Sequence, residues 1–198
     1  PPRLTDLKRD AILKAAAAEF RANGFEATSM DRIASVAEVS KRTVYNHFPS
    51  KEELFAETIV QLFQASAELL ELPYRQDVPL REQLSELLRL KMRTLEQQDF
   101  LDLARVAISE AIHAPERALP VFARLNEREE GVTAWIRAAQ ADGKLKAGDP
   151  VFAATMLQGQ VKAFAFWPQV AMGAAPLAPE QQEPVIEAAV SMFLSYFS

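Results

Sequence analysis

The stretch Ser29-Met-Asp-Arg-Ile-Ala-Ser-Val-Ala-Glu-Val-Ser-Lys-Arg-Thr-Val-Tyr-Asn-His-Phe-Pro-Ser-Lys51 decides the fold. Ser29 precedes Met30–Ala37, where Ile33 and Ala34 fall on one helical face. A serine there can accept a hydrogen bond from a free amide of the first turn. Three residues after Ala37, Ser40 is placed to cap a second short helix running to about His47. Val39 and Val44 are spaced as a hydrophobic staple that fixes how the chain enters that helix. Pro49 stops it, and Ser50 with Glu53 forms a capping box for a longer helix. Two short helices joined by a three-residue turn, with a third helix behind them, make a helix-turn-helix.

Working outward, the first helix starts near Thr5–Asp6 and carries Ile12, Ala16 and Phe20 four residues apart. Asn23–Gly24 ends it, and Phe25 can fold back onto Phe20. The helix after Pro49 carries Leu54, Phe55, Ile59, Leu62, Phe63 and Leu69–Leu70. Beyond Pro73 and Pro79, a fifth helix bears Leu80, Leu84, Leu87, Leu88, Met92 and Leu95. Asp99 is expected to cap a sixth, which ends before Pro115. A seventh is expected from about Arg117 through Trp135 to Gly143. Gly148-Asp149-Pro150 is a start signal for an eighth, running to about Met172. A ninth follows Pro179 and ends at Phe197. Strand-type alternation bounded by turn residues is absent from the sequence. The expectation is an all-α chain of about nine helices: a three-helix head, residues 1–50, and a helical body, residues 51–198.

Composition sets the limits of function. Hydrophobic residues are 49% and charged residues 25% of 198, ordinary for a globular protein and too apolar for a disordered one. Cysteine is absent, which removes disulfides and thiolate metal sites. Arg3, Asp6, Lys8, Arg9 and Asp10 interrupt the start, so no secretory signal is expected. The longest uncharged stretch, Ala163–Pro179, contains three prolines and falls short of the ~20 apolar residues that span a bilayer. A cytoplasmic chain without a membrane partner is expected. Net charge is −5, yet residues 1–51 carry a balance of +3 and the rest −8. A basic head on an acidic body puts the favourable field where DNA would be met.

The second short helix is the candidate reader. Lys41, Arg42, Thr43, Tyr45, Asn46 and His47 supply donors and an aromatic ring with no carboxylate among them, which suits phosphates and base edges. Lys51 opens the next helix, where the helix dipole disfavours a cation. Glu52 and Glu53 offset this in part, and a bound phosphate would as well.

The pattern Ile12-Leu13…Phe20…Gly24-Phe25…Thr28-Ser29-Met30…Ile33-Ala34…Val39-Ser40-Lys41…Thr43-Val44-Tyr45…His47-Phe48-Pro49-Ser50-Lys51…Leu54-Phe55 resembles the TetR/AcrR signature over roughly residues 8–56. The resemblance implies that the third helix enters the major groove. Lys41, Arg42, Thr43 and Tyr45 would then meet bases and nearby phosphates, and His47 and Lys51 the backbone. Thr28 and Ser29 would lie near a phosphate at the second helix. With Ser40 and Asn46 these complete the expected DNA-facing set. One position departs from the pattern: Glu38 stands where the family usually has Gly. A left-handed conformation there would cost on the order of 1 kcal/mol, and Glu38 is placed to pair with Arg42.

From about Phe100 to Met172 the body is similar to AefR-like C-terminal domains, on its general pattern and the segment Gly143–Pro150. That resemblance implies a homodimer through the last two helices and a cavity in the middle helices for a small effector. Met92, Phe100, Leu103, Trp135, Phe164 and Trp167 are apolar residues at helical spacing; the plainer reading makes them core. Gln160, polar on an apolar helix, is a candidate to orient a ligand. His113 reads as a helix-end residue rather than a metal ligand. No cofactor or metal is expected.

No nucleophile elbow, phosphate-binding glycine loop or zinc-protease motif is present, which weighs against an enzyme. The expected function is a dimeric repressor that leaves a palindromic DNA operator when a small apolar or aromatic effector binds. A regulator without a small effector, an activator, and more remotely a helical enzyme are the alternatives.

Overall fold

The computed structural model describes residues 4–68, 72–126 and 131–198. Its described residues form helical segments α1 (Leu4–Ala27), α2 (Met30–Val36), α3 (Lys41–His47), α4 (Lys51–Glu68), α5 (Leu80–Leu95) and α6 (Gln98–His113). They continue as α7 (Pro115–Asn126), α8 (Gly131–Ala141), α9 (Pro150–Ala165), α10 (Trp167–Met172) and α11 (Pro179–Phe197). The chain is all-α, as expected. Leu69 and Leu70 lie outside the described residues.

Two segments more than expected come from two places. The expected seventh helix is described as α7 and α8, with 127–130 outside the described residues. The expected eighth is broken into α9 and α10 at Phe166, whose φ/ψ of −131°/−59° leave the helical range. Pro168 is the cause. It has no N–H to donate, and its ring would collide with the Phe164 carbonyl. The Gln169 amide donates to that carbonyl instead, at 3.2 Å.

The chain divides into two compact units, residues 1–64 with 102–127, and residues 65–101 with 128–198. In the first, Phe20, Phe25 and Phe55 build an aromatic centre. Phe20 and Phe25 stack at 6.0 Å, and Phe55 meets them edge-on at 5.0 and 5.1 Å. Gly24 makes this possible. Its φ/ψ of 74°/178° lie in a region essentially restricted to glycine, and they reverse the chain so that Phe25 lands on Phe20. Ile12, Ala16, Ile33, Val44 and Leu54 are fully buried around the rings.

The second unit packs α11 against α5 and α9, and α8 and α10 against α9. Trp135 is buried at its centre, and its indole N–H donates to Gln83 Oε1 at 3.1 Å. The Gln83 amide also donates to the carbonyls of Arg75 and Val78, both at 2.7 Å, so one buried glutamine ties the segment before α5 to the core. Tyr74 stacks edge-on against Trp135 and donates its hydroxyl to Asp142 at 2.6 Å.

Candidate nucleic-acid interface

The reader helix is held from behind and at both ends. Val44 is wholly buried, and Ser40 Oγ accepts from the Thr43 amide at 3.1 Å. At the other end, the amide of buried Phe48 donates to the Val44 carbonyl at 2.8 Å. Seven residues make only two turns, too few to be stable alone. These anchors leave Lys41, Arg42, Tyr45 and Asn46 exposed, with Thr43 and His47 half-buried.

The exposed side chains are not equivalent. The Lys41 ammonium reaches across to Asp31 of α2 at 2.5 Å. Among the described residues Arg42, Tyr45 and Asn46 have no hydrogen-bond or ionic partner. Arg32 is engaged as well: its Nε lies 2.5 Å from Glu19, a carboxylate buried in the head that also accepts from the Asn23 amide at 3.0 Å. Three donor-bearing groups on α3 are thus free on a helix whose own position is fixed.

The turn between α2 and α3 keeps its regular form despite Glu38. The Val39 amide donates to the Ala34 carbonyl at 3.0 Å and the Glu38 amide to the Ser35 carbonyl at 3.2 Å, the paired bonds of a Schellman helix stop. That motif requires a left-handed residue, and Glu38 adopts it at φ 54°. Glu38 therefore accepts the strain rather than altering the turn. The expected pairing with Arg42 is not formed.

Thr28, Ser29 and Lys51 occupy different places from one another. Ser29 is exposed and caps α2, accepting from the Arg32 amide at 3.2 Å. Thr28 is buried, and its hydroxyl is spent on the end of α1, donating to the Glu19 and Gly24 carbonyls at 3.1 and 2.7 Å. Lys51 folds back over the same corner. Its ammonium donates to the carbonyls of Phe25, Glu26 and Thr28 at 2.9, 3.3 and 3.1 Å and lies 4.4 Å from the centre of the Phe25 ring. An ammonium has three N–H donors, so a phosphate contact for Lys51 is unsupported by this geometry. Backbone carbonyls offset the awkward charge at the start of α4.

The expected effector residues are divided between the two compact units. Met92, Phe100 and Trp135 are core residues of the second compact unit, and Leu103 is a core residue of the first. Phe164 and Trp167 are half exposed on the outside of α9 and α10. Gln160 is partly buried, and its Oε1 has no hydrogen-bond partner among the described residues. The enclosed space lies elsewhere in the first unit. It is an apolar cavity of about 40 Å³ bordered by Phe55, Ile59 and Phe63 of α4, Ala104 and Ala107 of α6, and Ala118 of α7. Large residues on one helix facing alanines on two others were the signal that could have located it. Among the described residues no group of three or more His, Asp or Glu side chains could hold a metal ion.

Residues 12–58 match the family of bacterial regulatory proteins of the tetR type, and residues 82–198 match the AefR-like transcriptional repressor C-terminal domain. The chain belongs to the TetR family of transcriptional regulators. A TetR-family regulator from Pseudomonas syringae pv. tomato shares its fold with a TM-score of 0.81 at 57% identity, over 96% of each chain. The HTH-type regulator RutR of Escherichia coli is 30% identical over 174 residues, 85% of this chain and 79% of RutR. The Flavonoid-responsive Regulator FrrA superposes with a TM-score of 0.78 at 30% identity, over 96% of this chain and 97% of FrrA. This TetR-family protein is therefore a DNA-binding regulator of transcription rather than an enzyme, and α2 and α3 are its helix-turn-helix. Among its described residues no helix is long and apolar enough to cross a membrane.

Proposed function

We propose that this protein is a homodimeric repressor that binds a palindromic operator through α3 and is released by a small, apolar or aromatic effector. Residues 1–50 form the DNA-binding domain and 51–198 the effector-binding and dimerisation domain. The observation that carries the reading is the α3 surface, where Arg42, Tyr45 and Asn46 stand exposed without partners on an anchored helix. Arg42 and Asn46 face base edges, Tyr45 and His47 the backbone or a thymine methyl. Lys41, Thr43, Ser29 and Ser40 lie beside phosphates, and Thr28 and Lys51 shape the corner from within.

Dimerisation is supported by a strip of exposed large apolar side chains, Phe152, Met156, Phe164, Trp167, Met192 and Tyr196, on α9, α10 and α11. Exposed apolar side chains gathered on neighbouring helices are the kind of surface that partner chains cover. Two copies of α3 in successive major grooves stand about 34–36 Å apart, which calls for a roughly palindromic site.

The effector class is supported by the cavity wall, which is aliphatic and aromatic. The name of FrrA, similar over nearly its whole length, points the same way. A ligand of ordinary size needs about 300–1,000 Å³, so binding would have to open the cavity. Its small volume favours a second reading, a regulator that takes no small molecule.

Selection of bound duplexes from a random DNA pool, at two salt concentrations, tests the first half. A palindromic consensus whose affinity falls steeply with salt is expected. No consensus at either salt would overturn sequence-specific regulation. A flat response of operator binding to flavonoids and other planar aromatics would favour the second reading.

A further inference from the structure

We infer that α7 sets the position of the reader helix through two arginines, Arg117 and Arg124, which act as latches on the DNA-binding head. They are seven residues apart, two turns of helix, and so project from one face of α7.

Arg124 Nη2 lies 2.5 Å from Glu57 Oε2 on α4. The other oxygen of the same carboxylate, Oε1, is 2.8 Å from Arg9 Nη2 on α1. The Arg9 guanidinium lies 5.1 Å from the centre of the Phe48 ring, and Phe48 is the residue that closes α3. One carboxylate thus joins three helices, and the last link ends on the reader. Burial pushes the Glu57 carboxyl up, but hydrogen bonds from Arg124 and Arg9 and their charges outweigh this and hold it below the usual carboxylate range.

Arg117 grips the opposite corner. Its Nη2 lies 2.8 Å from Glu110 of α6 and 3.1 Å from Glu26, and its guanidinium is 5.0 Å from the Phe25 ring centre. That ring also meets the Lys51 ammonium. The α1–α2 corner and the C-terminal end of α3 are therefore each tied to α7 by a separate arginine.

Arg9, Arg117 and Arg124 keep about a third to two fifths of their exposure, so water partly screens these pairs, while Glu110 is buried and Glu57 mostly so. Their contribution to folding is modest. What they fix is geometry. Without them the head keeps its aromatic core and its apolar contact with Val121 but loses its ionic ties to α7, and part of the affinity for DNA goes into ordering it.

The test uses the full chain and the duplex selected from the random pool. Arg117→Gln and Arg124→Gln, alone and together, are compared with Arg89→Gln, which breaks a more exposed pair with Glu183 far from the head in sequence. The readouts are duplex affinity, its salt dependence, amide exchange over residues 41–57, and melting temperature. The double variant should bind about tenfold more weakly. Exchange over 41–57 should rise severalfold, the salt slope should stay at the wild-type value, and melting should fall by only a few degrees more than in Arg89→Gln. Arg124→Lys, which keeps charge but loses the planar fork, should recover only part of the affinity. Affinity and exchange equal to Arg89→Gln would overturn the inference. So would a reduced salt slope, which would make the arginines direct phosphate contacts. If the double variant fails to fold, the single variants decide by the same criteria.

Discussion

Replacing Lys51 with methionine keeps an unbranched stem of similar length and removes only the charged tip. In the folded head that tip satisfies three carbonyls, of which those of Phe25 and Thr28 are partly buried and that of Glu26 is open to water. Water can take over at Glu26 at little cost. At the other two carbonyls, the lost charge-assisted bonds cost about 1 kcal/mol each once partial rehydration is allowed for. The lost cation–ring contact adds about 0.5 kcal/mol. Removing a cation from the first turn of α4 returns about 0.3–0.5 kcal/mol. The net loss is about 2 kcal/mol, or about 4–8 °C in melting temperature for a chain of this size. Circular dichroism melts and urea titrations measure it. The informative second assay is duplex binding across a salt series. A phosphate contact would take about 0.9 from the slope of log K against log salt, whereas a lysine spent on carbonyls leaves the slope unchanged. A variant that melts like wild type and loses a unit of slope would refute the clamp and restore Lys51 as a backbone contact.

Arg42→Ala should weaken specific binding by about 1–3 kcal/mol and relax preference at one base pair, read by repeating the selection; uniform weakening across all sequences would mean that Arg42 meets only phosphate. Glu38→Gly should relieve about 1–2 kcal/mol of left-handed strain and lose part of that to the freer unfolded chain. A net gain of about 0.5 kcal/mol in urea unfolding is expected, and a lower midpoint would contradict it. Burial, then the hydrogen bond to Asp142 and its charge, push the Tyr74 hydroxyl up to about 12. Because the folded value lies above the ordinary one of 10.0, this contribution to stability is fully present below pH 10 and is lost as pH rises toward 12. Absorbance of the phenolate should show a late-titrating tyrosine that Tyr74→Phe removes, and persistence of that phase in the variant would place it elsewhere.

The parts legible in the sequence are those written locally. Ser29, Ser40 and Ser50 each cap a helix within three residues of themselves, and Gly24 kinks α1 so that Phe25 meets Phe20. The reader helix follows from such short-range rules. Long-range ties did not announce themselves. Lys51 meets carbonyls 23 to 26 residues before it, and Arg124 meets Glu57 across 67 residues. A lysine at a helix start reads equally well as a phosphate ligand. The break at Phe166 was signalled by Pro168, but an apolar run on both sides made a continuous helix look reasonable. The apolar stripes of the body could not be sorted into core, cavity and outer strip by periodicity, because all three use the same residue types. Phe164 and Trp167 sit on the outer strip, and part of the cavity wall is made of alanines that sequence reasoning passes over.

The division of labour on α3 has an evolutionary consequence. Val44, Ser40 and Phe48 hold the helix, while Arg42, Tyr45 and Asn46 have no hydrogen-bond or ionic partner among the described residues. Substitutions at those three positions leave the scaffold intact, so a duplicated copy can drift to a new target through neutral intermediates. Lys41 differs from them in having a partner, Asp31 of α2, although that exposed pair contributes little to folding.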